Sequence, residues 1–242
     1  MWNIPYCQAV GSLIHLATGT RPDITFTTSF VSQFNANPGW DHWEAIKGIY
    51  HYLIGMKSLM LTFGTQIQGL VGYVNVDGAT QEHQQAITGF AFIIDGGAIL
   101  WGLKKQELVT LFTAESEYVA ATHTAKEALW LQCLIGEMFW PLTEPTTLFG
   151  DNQSAIALTH DSSYHTHTKH IDICYHFIRF TVEDGSICFL YCPLNAMVAD
   201  TLTKALLSIK AKHFAQELRL NPSVWGGVLY YSRMDYSTNR LG

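Results

Sequence analysis

The chain has 242 residues, 48% of them hydrophobic and 14% charged, with 14 Lys+Arg against 20 Asp+Glu for a net charge of −6. That length suits one large domain, or one domain plus part of another. A charged share well below the ~25% usual for soluble domains excludes a solvated disordered tail or a charge-laced coiled coil as the whole chain. The acidic balance argues against a basic coat protein for nucleic acid but leaves a nuclease open, because carboxylates that hold metals add negative charge locally.

Residues 1–64 carry helical spacing. Apolar residues recur from Tyr6 to Thr18. Thr20-Arg21-Pro22-Asp23 is a break, with Pro22 suited to a first helical position. A second helix is predicted from Asp23 to Phe34, and Pro38-Gly39 marks a turn. Asp41 is a good N-cap for a third helix through Leu53, ended by Gly55. From Gly69 the pattern changes. Leu70–Val74 is a short apolar run, Ala86–Ile94 is β-rich, and Gly96-Gly97 is a hairpin turn; Ala98–Trp101 and Leu108–Phe112 continue an antiparallel meander. A capped start at Thr113-Ala114-Glu115-Ser116-Glu117 opens a long helix to about Phe139. Then follow a strand Thr146–Phe149, a short helix Ser154–Thr159, a helix Thr168–Glu183 stopped by Asp184-Gly185, and a strand Ser186–Cys192. Helices Ala196–Leu206 and Ile209–Leu218 close the pattern, and a loose tail is expected from Asn221. The order is that of an α/β fold with a mixed sheet.

No run approaches about 18 consecutive apolar residues, and the start lacks the basic and apolar regions of a signal peptide. The five cysteines, Cys7, Cys133, Cys174, Cys188 and Cys192, are odd in number and irregular in spacing. They fit free thiols in a reducing compartment, either cytoplasmic or nuclear, better than disulfides or zinc ligands.

Ligands and metals in such folds gather at the carboxyl ends of strands. Asp77 follows the first strand of the meander, Asp151 the fourth strand, Glu117 lies in the first turn of the long helix, and Asp200 lies in a late helix. Acids from four separate elements that converge would bind magnesium and support in-line phosphoryl chemistry. Taken singly, each is better read as a cap or a surface acid.

Longer strings supply the anchor. Ala9-Val10-Gly11-Ser12-Leu13, Thr20-Arg21-Pro22-Asp23-Ile24, His42-Trp43-Glu44-Ala45 with Lys47, and Tyr52-Leu53 with Gly55 resemble the end of a copia-type retrotransposon reverse transcriptase. Lys104-Lys105-Gln106, Ser116-Glu117-Tyr118-Val119-Ala120 and Lys126-Glu127-Ala128-Leu129-Trp130-Leu131 resemble the ribonuclease H domain of the same polyprotein. So do Asp151-Asn152-Gln153-Ser154-Ala155-Ile156, Thr168-Lys169-His170-Ile171-Asp172-Ile173 and Ala199-Asp200-Thr201-Leu202-Thr203-Lys204, in order and at matching spacing over about residues 5–220.

The resemblance implies an RNase H-like mixed five-stranded sheet flanked by helices. It implies residues 1–64 as a helical remnant of the polymerase thumb or connection, 65–206 as the RNase H-like domain, and 207–242 as a C-terminal helix and tail. It also implies hydrolysis of the RNA strand of an RNA–DNA hybrid by two Mg2+ ions, with Mn2+ as the alternative metal. A reverse transcriptase polymerase domain, in cis or in trans, is the implied partner, with no membrane involved. Glu117, Asp151 and Asp200 match three of the four metal-binding positions. Lys104, Lys105, Asn152, Gln153, Lys169, His170 and Lys204 fall in the same motifs as candidate substrate contacts.

The fourth position departs. The family pattern after Gly-Tyr is x-Asp-Ala-Asp, whose first Asp is the ligand, whereas here Gly72-Tyr73-Val74-Asn75-Val76-Asp77 puts Asn75 there. An amide brings no charge, bridges two metals poorly and points N–H groups at them. Asp77 is a possible substitute, on the same side of the strand but ~7 Å further along it. Further departures follow the same trend. Basic residues of the family are replaced at Gly48, His51, Gln84, Gln85, Gln132, Cys133, His167 and Cys174, serines at Gly102, Leu103 and Phe112, and a proline at Leu207. Many of these are single transitions, as expected of a silenced element decaying by deamination of methylated cytosine. Two readings stand: an active magnesium-dependent ribonuclease H, or a decayed, non-catalytic module that binds nucleic acid at most. His165, His167 and His170 belong with the family motif rather than with a metal site, and Trp40, Trp43, Trp101 and Trp130 are expected to be core aromatics.

Overall fold

A computed structural model describes residues 4–64, 69–77, 86–106, 113–139, 141–153, 156 and 169–222, with residues 113–114 and 169–172 described by backbone alone. Gln84, Gln85, Phe112, His165, His167, most of the expected short helix at 154–159, the expected strand at 108–112 and the tail beyond Pro222 lie outside the described residues.

The N-terminal segment forms α1 (Tyr6–Gly19), a 3-10 turn at Pro22–Ile24, α2 (Thr25–Ser32) and α3 (Trp40–Gly55). Tyr6, Val10, Leu13 and Ala17 recur at helical spacing on α1 and bury against Ile24, Val31, Ile46 and Ile49. The expected second helix thus divides, because Pro22 starts a tight turn before α2 begins. Asp41 lies inside the first turn of α3 rather than at its cap. The cap is Gly39, whose backbone N–H donates to His42 Nδ1 at 2.9 Å. Arg21 closes the turn between α1 and α2 with a two-pronged contact to Asp23 at 2.9 and 2.6 Å, and Tyr52 of α3 donates to the same carboxylate at 2.7 Å.

The sheet begins with β2 (Val71–Asp77), β3 (Ile87–Ile94) and β4 (Gly97–Lys105), an antiparallel meander. The β3–β4 turn is Asp95-Gly96, with φ of 51° and 74°, one residue earlier than expected. Positive φ at both central residues is the two-residue hairpin geometry that matches strand twist. After the long α4 (Thr113–Met138) come β5 (Thr146–Gly150), α5 (Lys169–Glu183) and β6 (Ile187–Tyr191). β5 runs parallel to β2, and β6 parallel to β5, giving the order β4-β3-β2-β5-β6. This is the mixed five-stranded, helix-flanked sheet that the resemblance implied.

Alternation along β3 serves both faces. Phe90 and Phe92 face α4 and α5 with Tyr118, Ala125, Ala128, Leu148 and Ile178. Ala91 and Ile93 face the opposite side with Val198, Leu202, Phe214 and Leu218. Fully burying each such large apolar side chain contributes roughly 1.5–3 kcal/mol. The expected helix over 196–206 is only a turn of helix, α6 (Asp200–Thr203), because Lys204 is extended and breaks it from α7 (Ser208–Glu217). Asn221 and Pro222, expected to start a loose tail, instead belong to a short strand, β7 (Leu220–Pro222), antiparallel to β1 (Leu59–Leu61). Trp40 and Trp130 are exposed rather than core, whereas Trp101 is partly buried and donates from Nε1 to Ala17 O at 2.8 Å, joining β4 to α1. All five cysteines are unbridged. No helix among the described residues is long and apolar enough to cross a membrane.

Candidate active site

The central strand supplies the first position. Asn75 sits near the carboxyl end of β2, paired with Gly89 of β3, and is 3% exposed. Because β5 is parallel to β2, Asp151 emerges at the same end of the sheet. The first turns of α4 bring Glu117 over β2. Asn75 and Glu117 line one cavity with Val74, Val76, Ala121, Gly150, Asn152, Ile156 and Phe189. Asp200 arrives from α6, which lies against β3. A Cβ added at Gly89 would meet Thr203 Cγ2 at 2.6 Å, Leu202 Cβ at 3.0 Å and Ala199 O at 3.2 Å. Only glycine lets α6 come that close.

Asn75 Nδ2 donates to Asp200 Oδ1 and to Thr203 Oγ1, both at 2.7 Å, so both amide hydrogens are used. Lys204 Nζ also reaches Asp200 Oδ1, at 2.8 Å, and Lys210 Nζ reaches Oδ2 at 2.7 Å. The Asp200 side chain is fully buried. Glu117 behaves differently. Burial pushes its carboxyl up from 4.5 to about 7, a hydrogen bond from Asn152 opposes the rise, and nearby Asp151 adds to it. Burial likewise raises Asp151, opposed by a backbone hydrogen bond; Asp200 adds to the rise and Lys204 opposes it.

The tertiary structure therefore brings Asn75, Glu117, Asp151 and Asp200 to one end of the sheet. Asp77, at the end of β2 opposite Ile87, does not line the cavity. Lys104 and Lys105 end β4, in register with Thr88 and Ile87, at the same end of the sheet but about 10 Å from β2. Gln153 is exposed beside Asn152. Lys169 and His170 start α5, with only their backbone described. Lys204, expected at the substrate, is engaged with Asp200. Lys210 and Thr203 are the site residues that sequence reasoning missed. Thr203 lies one turn from Asp200 inside a recognised motif, whereas nothing in the sequence marks Lys210, in the next helix, as its neighbour.

The family's metal chemistry can be tested against these side chains, and they do not fit it. Among the described residues no group of three or more His, Cys, Asp or Glu side chains is placed to hold a metal ion. The cavity between Asn75 and Glu117 has a volume of about 20 Å³, room for about one water molecule. The Asp200 oxygens, which would have to face a cation, already accept from two ammonium groups and an amide.

Sequence relatives point to the same kind of polyprotein. The chain is 44% identical over 207 residues to the retrovirus-related Pol polyprotein from transposon TNT 1-94 of Nicotiana tabacum, covering 85% of this chain and 16% of that protein. It is 33% identical over 230 residues to the Pol polyprotein from transposon RE2 of Arabidopsis thaliana, covering 93% of this chain and again 16% of the relative. No family model matches. Among solved structures, the foamy viral protease-reverse transcriptase in complex with RNA/DNA hybrid aligns with a TM-score of 0.48 at 13% identity, over 83% of this chain and 26% of that one. Fold and motifs together define an RNase H-type domain of a retroelement. Over most of its length the chain is homologous to retrovirus-related Pol polyproteins of copia-type transposons, and it spans 16% of the length of the two relatives described.

Proposed function

We propose that this chain is the RNase H-type module of a copia-like Pol protein in which hydrolysis of the RNA strand of RNA–DNA hybrids is silenced at Asn75. The observation that carries this reading is the 2.7 Å hydrogen bond from Asn75 Nδ2 to Asp200 Oδ1. A carboxylate at that position would add charge for a cation; the amide instead satisfies the neighbouring carboxylate and turns N–H groups into the site. The module's remaining role is contact with a hybrid through Lys104, Lys105, Gln153 and the start of α5, next to a polymerase domain in cis or in trans. That contact is weak. With 14 Lys+Arg against 20 Asp+Glu, and two of those lysines bound to Asp200, little positive charge is left for phosphates.

The test is cleavage of an end-labelled RNA–DNA hybrid in Mg2+ and in Mn2+ by the native chain, Asn75→Asp and Asp151→Asn. No cleavage by the native chain in either metal is expected, and cleavage by Asn75→Asp alone would identify the lesion. Cleavage by the native chain that Asp151→Asn abolishes would overturn the reading.

A further inference from the structure

We propose that Asp200 serves as a structural clasp: its buried carboxylate, neutralised by the Lys204 and Lys210 ammonium groups and hydrogen-bonded by the Asn75 amide, holds α6 and α7 on the sheet without a metal ion. The proposal rests on reading Asn75 as silencing the site, and it concerns what the silenced site does instead.

A fully buried carboxylate is costly unless paired and hydrogen-bonded. Here each oxygen is served. Oδ1 accepts from Asn75 on β2 and Lys204 just beyond α6, and Oδ2 accepts from Lys210 on α7. The distant strand β2 and two nearby stretches, at Lys204 and on α7, meet on one carboxylate. The Lys210 ammonium is held from both ends, because it also lies over the ring of Phe214, 5.0 Å from its centroid. Phe214 is wholly buried between α7 and the sheet, in the cluster containing Ala91, Val198 and Leu202. Thr203 completes the arrangement, accepting from Asn75 Nδ2 and donating to Asp200 O at 3.4 Å. A divalent ion entering here would have to expel two ammonium groups and approach an N–H face. The bound lysines thus supply the positive charge that a cluster of carboxylates otherwise draws from a metal.

Thermal unfolding of the full chain tests this, with and without MnCl2, for native, Lys210→Met, Lys210→Arg and Asp200→Asn. MnCl2 is expected to leave the native Tm unchanged, since only a ligand that binds the folded state raises it. Lys210→Met is expected to lower Tm by about 3–8 °C, and Lys210→Arg, which keeps the ion pair, to retain most of it. Failure of Lys210→Met to fold while Lys210→Arg folds supports the clasp equally. A native Tm raised by MnCl2, with the rise lost in Asp200→Asn, would overturn the proposal. So would a Lys210→Met chain that melts with the native one. These results are distinct from failure of the silencing reading, which shows as hybrid cleavage by the native chain.

Discussion

Asparagine and aspartate have nearly the same shape, but only asparagine donates hydrogen bonds as well as accepting them, and at residue 75 that difference sets the character of the site. An aspartate 2.7 Å from Asp200 would oppose a second buried carboxylate; the asparagine donates to it. Glu117 carries the other residue-scale consequence. Its carboxyl, pushed by burial from 4.5 to about 7, holds its proton more tightly in the folded chain than in the unfolded one. The resulting stability is fully present below about pH 4.5 and is lost as the pH rises through about 7. Glu117→Gln removes that loss. In urea unfolding it is expected to match the native chain near pH 4 and to exceed it by about 1–2 kcal/mol near pH 8, after allowance for solvent screening of a partly exposed group. An unchanged difference across that range would show that Glu117 titrates alike in the folded and unfolded chains. The identities of Glu117, Asp151 and Asp200 were legible in the sequence because they sit inside contiguous motifs. Lys210 was not, because its contact with Asp200 depends on how α7 folds back and not on spacing.

At the scale of elements, α6 is decisive. It is a single turn, yet it carries Asp200, Thr203 and Leu202, and it reaches β3 only because residue 89 has no side chain. Gly89→Ala is expected to destabilise the fold by about 1–3 kcal/mol, as forced overpacking does, read as a lower urea midpoint at unchanged slope. A native midpoint would mean that α6 shifts without cost. The long elements were readable from sequence: α4 and α5 from helical spacing, and β3 from a β-branched and aromatic run between turn signals. The short ones were not. Leu220–Pro222 becomes a strand only because β1 offers it an edge, and the α6–α7 break follows from the extended Lys204. The Gly39 cap depends on a His42 ring that turns back onto it.

Across the whole molecule, the helical N-terminal segment keeps its own apolar cluster but does not stand apart. Trp101 Nε1 bonds Ala17 O, the β1–β7 pair ties residues just after α3 to those just after α7, and α2 packs on α6. We expect one cooperative unfolding transition by circular dichroism, and a loss of about 1 kcal/mol for Trp101→Phe, which removes one interface hydrogen bond. Two separated transitions in the native chain would show that the helical segment folds independently.

By itself, the sequence determined the family, the mixed five-stranded sheet with its helices, and the presence of an amide where the motif calls for a carboxylate. These follow from local pattern and ordered strings, which the chain carries in one dimension. What that amide does was decided only by the tertiary structure, because Asn75 and Asp200 lie 125 residues apart. Whether a buried carboxylate faces a metal, a lysine or an amide depends on which donors the packed elements bring within about 3 Å of it.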